Sequence, residues 1–161
     1  MRWLLRKFDS LAGTVLAAIG GLTAAQAPVF VQQYLQRLGG HVDEAHRNLV
    51  RVTTDDTFTG LAAPVRFAVE ASARDRFVEL ESQRQAIAAA VPALRPVEFL
   101  QAFDPEIAAA TLDGFEAALP LDPASLIYGA AGIVAAWLLY EVLKLPFLLA
   151  RRPRASARRP A

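Results

Sequence analysis

The side chains able to do chemistry are few, and their spacing argues against most of it. His41 and His46 are the only histidines. Five positions apart, they point about 140° apart around a helix, whereas a helical metal-binding pair needs a separation of about three or four. Asp43 and Glu44 nearby add at most a weak surface contact for a cation. Asp55 and Asp56 are adjacent acids in a turn region and need not converge. Ser10, Ser72, Ser82, Ser125 and Ser156 have no histidine and acid at motif spacing. Gly39-Gly40 lacks the following lysine and preceding strand of a phosphate loop. With 0 cysteines there is no thiol nucleophile, thiolate zinc site or iron–sulfur ligand. No catalytic, cofactor-binding or metal-binding residue is therefore expected, and the chain reads as non-enzymatic. One pair stands apart. Glu141 and Lys144 are three residues apart on one helix face and can pair. An ionisable group inside a membrane is a functional hypothesis by default, so proton or ion coupling at Glu141 competes with an interfacial ion pair.

The membrane enters through the distribution of charge. The net charge of +1 over 161 residues hides three blocks. Residues 1–37 carry Arg2, Arg6, Lys7 and Arg37 against Asp9, or +3. Residues 38–123 carry 7 arginines against 14 acids, or −7. Residues 124–161 carry Lys144 and five arginines against Glu141, or +5. Basic ends flanking an acidic middle suit a protein whose two ends stay in the cytoplasm. Hydrophobic residues make up 54% of the chain, which excludes wholesale disorder.

Two charge-free runs supply the spans. Ser10 to Gln36 is 27 residues without a formal charge, and Ala124 to Tyr140 is 17, continuing past Glu141 and Lys144 to Arg151. A spanning helix needs roughly 20 mostly apolar residues. Gly13, Ala17 and Gly21 repeat every four residues, the small-residue pattern that lets helices approach in lipid. Gly20 with Ala24 and Gly132 with Ala136 make further small steps. The stripe predicts either that the two spans pack together or that the first self-associates. Residues 1–27 also have the basic start, apolar stretch and Ala25-Gln26-Ala27 ending of a secretory signal. Against cleavage, Pro28 follows the cut and the helical repeat runs on.

The resulting expectation is an all-α membrane protein with two transmembrane helices flanking a periplasmic helical hairpin or small bundle. Residues 1–9 form a basic cytoplasmic N-terminus. Residues 10–36 span the membrane and continue outward as a helix to about 53. Residues 37–122 form the acidic periplasmic region, 123–148 the second span, and 149–161 a disordered basic cytoplasmic tail. In the outward stretch, Val31, Leu35, Leu38, Val42, Ala45, Leu49 and Val52 form a heptad, coiled-coil-like stripe. Gly39-Gly40 inside it reads as a kink, a break or a boundary between two helices. A second helix is predicted over 64–90, with Phe67, Phe77, Leu80, Ile87 and Val91 recurring and Pro92 and Pro96 ending it. Asp104-Pro105-Glu106 starts a third, to about Ala118, with Ile107, Leu112 and Phe115 inward. Asp122-Pro123 repeats the device before the second span.

Gln26-Ala27-Pro28-x-Phe30-x-Gln32-Gln33-Tyr34-x-Gln36-Arg37-Leu38-Gly39-Gly40, followed by Asp43-Glu44, resembles the signature of an uncharacterised proteobacterial membrane-protein family, domain of unknown function 2937. Arg95-Pro96-x-x-Phe99-Leu100, then Asp104-Pro105, Phe115 and Pro120, is similar to that family's C-terminal half. The likeness covers roughly residues 4 to 148. It implies an inner-membrane protein and supplies no catalytic residue.

Gln32, Gln33, Tyr34, Gln36 and Arg37 then form a polar band at the outer membrane surface, read either as an interfacial girdle or as a contact surface for a partner. The functional expectation is an inner-membrane scaffold, assembly factor or accessory subunit. It would bind the lipid bilayer together with a membrane-protein partner or a second copy of itself; nucleic acid is disfavoured. The alternatives are a small homo-oligomeric channel or transporter component, and a periplasmic coiled-coil protein with a cleaved signal and a C-terminal anchor.

Overall fold

The computed structural model describes residues 2–118 and 121–150; the basic tail from Arg151 onward lies outside them. Every regular element among the described residues is helical. Six α-helices run in order: α1 Arg2–Thr54, α2 Asp56–Thr59, α3 Ala63–Ala89, α4 Arg95–Ala102, α5 Pro105–Asp113 and α6 Pro123–Ala150, with a 3-10 turn at Pro92–Leu94. Two of these helices, α1 and α6, are long and apolar enough to cross a membrane.

Two compact units divide the chain, one made from the first 25 residues with those from Ile127 onward, the other from Gln26–Leu126. In the first, α1 and α6 meet through small residues. A Cβ on Gly132 would lie 2.5 Å from the backbone oxygen of Gly20 and 2.5 Å from the Ala24 Cβ. Backbone cannot yield as a side-chain tip can, so this approach requires glycine. Gly13 faces Tyr140, Gly21 faces Ile133, and Ala25 faces Gly129. The partners climb one helix as they descend the other, so α1 and α6 run antiparallel. The stripe of small residues packs the two candidate spans on each other. Their outer faces carry Leu11, Ile19, Leu22, Val134, Leu138 and Leu139, all exposed.

The second unit has a conventional core. Val31, Tyr34, Leu38 and Val42 of α1 are buried with Leu80 and Ile87 of α3, Phe99 of α4 and Ile107 of α5. Val31, Leu38 and Val42 belong to the heptad stripe of α1, whose Leu35 and Ala45 pack partly buried against the cluster, whereas Tyr34 lies outside the stripe and Leu49 and Val52 outside the cluster. α1 runs on through Gly39-Gly40 without ending, and a Cβ on either glycine would meet nothing within 4 Å. The helix also runs through Pro28, which has no N–H to return to the preceding turn.

Several expectations need correction. Pro96 does not close a helix: it sits in the first turn of α4, where a missing N–H costs nothing, and is buried beside Phe99. The helix opened by Asp104 ends at Asp113 with Gly114 as its cap, short of Ala118. Leu112 is 65% exposed rather than inward, because the core-facing row of α5 is Ile107 and Thr111, one turn apart. Phe67 and Val91 of the predicted second helix pattern are likewise exposed, while Phe77 packs against the core.

Candidate functional site

Helix capping sets the positions of the polar side chains. The Asp104 carboxylate accepts the N–H groups of Glu106 and Ile107 at 2.9 and 3.2 Å, starting α5. Asp122 accepts the Ser125 N–H at 3.0 Å and starts α6. Asp55 accepts the Thr57 N–H at 2.8 Å and starts α2; this bond holds its carboxyl below the usual carboxylate range. The Arg95 guanidinium donates to the carbonyls of Ala88 and Ala90 at 3.3 Å, satisfying the otherwise open end of α3.

In the first unit, antiparallel packing brings Asp9 of α1 to Tyr140, Glu141 and Lys144 of α6. The Lys144 ammonium lies 2.8 Å from Asp9 Oδ2 and 3.1 Å from Glu141 Oε1. Tyr140 donates its hydroxyl to Asp9 Oδ1 at 2.6 Å, and the ammonium sits 4.7 Å from the Tyr140 ring centroid. The Glu141–Lys144 pair foreseen in the sequence is therefore half of a larger cluster. The cluster edges a crevice of about 430 Å³ whose other walls include Gly13, Ala17, Ile133 and Trp137. Asp9 was missed. Its signal was available: it is the one acid among the first 37 residues, and antiparallel spans of similar length bring the start of one to the end of the other.

In the second unit, the glutamine-rich band of α1 resolves into two sets. Gln33 pairs with the backbone of Glu116 in both directions: its amide nitrogen donates to the carbonyl at 2.7 Å, and its amide oxygen accepts the N–H at 3.3 Å. Gln26 donates to the Ala118 carbonyl at 3.1 Å, and Arg37 donates to the Ala110 carbonyl. These side chains share one side of α1: Gln26 and Gln33 latch the non-helical stretch after α5, and Arg37 meets a carbonyl in the last turn of α5. Tyr34 is fully buried, its hydroxyl accepting the Asp104 N–H at 2.8 Å and its ring packed edge-on against Phe99 at 4.9 Å. Tyr34 is thus a core residue and not part of a contact surface, a correction that follows from α1 turning that face toward α4. Gln32 and Gln36 remain exposed.

This arrangement clamps helices of the chain on one another. Among the described residues no group of three or more His, Asp or Glu side chains is placed to hold a metal ion. Phe30, Phe99 and Phe115 complete an aromatic contact, with ring centroids 5.6 and 5.7 Å from Phe30. These residues fall within the same segments that carry the family signature. Neither a curated protein nor a solved structure matches the chain. A family model does, over residues 8–62 and 55–153, and by it the chain belongs to the family described as proteins of unknown function, DUF2937.

Proposed function

We propose that this protein is a non-enzymatic scaffold, assembly factor or accessory subunit of the bacterial inner membrane. In this reading α1 and α6 cross the bilayer, both termini are cytoplasmic, and the acidic helical region between them is a periplasmic hairpin or small bundle that meets a membrane or periplasmic partner. One observation carries it. α1 and α6 pair antiparallel through glycine and alanine while their outer faces stay apolar, and none of the most apolar window of α6 is buried within the chain. Such surface belongs in lipid, and antiparallel spans bring the two basic flanks out on one side, as the positive-inside rule asks.

The partner-facing residues in this reading are Gln32 and Gln36, since Gln33, Tyr34 and Arg37 are engaged by the chain itself. A photo-crosslinking amino acid at position 36, activated in intact membranes, tests it. A discrete adduct with another membrane or periplasmic protein supports an accessory role. A ladder of multiples of the chain's own 17.4 kDa mass points to self-assembly instead. No adduct from positions 32 and 36 contradicts the proposal.

A further inference from the structure

Helix α4 has two unlike sides. Pro96 and Phe99 face the core, while Val97 and Leu100 are exposed, continued by Leu94 before the helix and Phe103 after it. Leu100 is 70% exposed, and Leu121, which lies outside any helix two residues before α6, is 79% exposed. These are the largest exposures among the described bulky apolar side chains of this unit. Water is a poor neighbour for such a row, and no described element of the unit covers it.

The register of α4 on α1 says what does. Phe99 packs on Phe30 at 5.6 Å and on Tyr34 at 4.9 Å. Both partners fall near the outward end of the charge-free run Ser10–Gln36. A hydrocarbon core of ~30 Å takes about 20 helical residues at ~1.5 Å each. Counted from Ser10, it ends close to Phe30, and Tyr34 lies about 6 Å farther out, within the headgroup layer. The polar latch holds the chain before Leu121 at the same level, through Gln26 to Ala118 and Gln33 to Glu116.

We propose that the Val97–Leu100 face of α4, with Leu121, rests in the headgroup and upper acyl layer of the outer leaflet, making α4 an interfacial helix that seats the acidic region on the membrane. A helix with one apolar face, lying at the boundary, is the form that interfacial anchoring takes. The inference rests on the proposed spanning of α1 and α6, and its test separates the two.

The chain has no cysteine, so single nitroxide labels can be placed without background. Labels go on Leu100→Cys and Leu121→Cys, with Leu138→Cys as the deep reference and Arg47→Cys as the aqueous one. All four side chains are exposed, so the substitutions disturb no core contact. The full-length protein is reconstituted in phosphatidylethanolamine–phosphatidylglycerol vesicles, and label accessibility to oxygen and to a water-soluble nickel complex is compared. Oxygen-to-nickel ratios at 100 and 121 several-fold above that at 47, and below that at 138, support the inference. Labels at 100 and 121 as nickel-accessible as 47, with 138 still deep, overturn it and leave the spanning reading standing. A label at 100 shielded from both reagents overturns it in favour of a protein occupant. An aqueous label at 138 defeats the spanning reading itself, and this inference with it.

Discussion

Asp9 and Lys144, 135 positions apart in the chain, form an ion pair of 2.8 Å. The contact fixes the register of α1 against α6 at the end that carries the basic flanks, and Glu141 and Tyr140 hold its two members in place. Both partners are partly exposed, so the pair contributes modestly. Lys144→Met should lower the melting temperature in detergent slightly. Asp9→Asn should add little on top, because both changes remove one interaction. A double-mutant cycle by calorimetry checks the coupling; fully additive losses would count against the pair.

The close approach of α1 and α6 makes a sharper prediction. The Cβ positions of residues 25 and 129 are 3.4 Å apart, near the ~3.8 Å of a disulfide. Ala25→Cys with Gly129→Cys should therefore oxidise readily to an intramolecular bridge, seen as a mobility shift reversed by reductant. Adding Gly132→Leu, which pushes a side chain into the Gly20 backbone, should sharply reduce the yield.

Tyr34 and Gln36 lie in the same polar band and should behave in opposite ways. Tyr34→Phe keeps the ring against Phe99 but strands the Asp104 N–H, at a cost of about 1–3 kcal/mol. Gln36→Ala should change stability by no more than about 0.5 kcal/mol, as surface substitutions do, while weakening any partner contact. Urea unfolding of the two variants in matched detergent distinguishes them.

Acid should loosen the helices of the second unit. The Arg84 guanidinium first, and then the Gln85 amide, hold the Glu81 carboxyl below its ordinary range; the Thr57 N–H does the same for Asp55. A carboxyl whose folded-state value is depressed stabilises the fold fully above its unfolded value, and that contribution is lost as pH falls through the folded one. Stability is thus expected to be flat near neutrality and to decline below about pH 4. Glu81→Gln should flatten the decline, measured by thermal unfolding across an acid series.

The sequence exposed part of what was periodic and most of what was local. Val31, Leu38 and Val42 of the α1 stripe are in the core while Phe67 and Val91 of the next pattern are exposed, and Asp104-Pro105 and Asp122-Pro123 open helices because capping is decided within a few residues. Helix α4 was hidden because Pro96, in a short segment, signals a stop and a first turn equally well. The fate of the glutamine band was hidden for a different reason. Gln33 and Tyr34 are adjacent, but their partners, Glu116 and Asp104, are remote in sequence, and only the folded chain brings those backbone groups within reach. Asp9 belongs to the same class: one charged residue has no periodicity, and its role exists only once α6 lies antiparallel beside α1.

The central claim is that α1 and α6 cross a bilayer and carry the acidic region to its far side. A single cysteine in place of Gly60, in an otherwise cysteine-free chain, gives the direct reading. In spheroplasts with an intact inner membrane, a membrane-impermeant maleimide should label it as fully as it does after lysis. Labelling that requires rupture of that membrane would place residue 60 in the cytoplasm and contradict the topology.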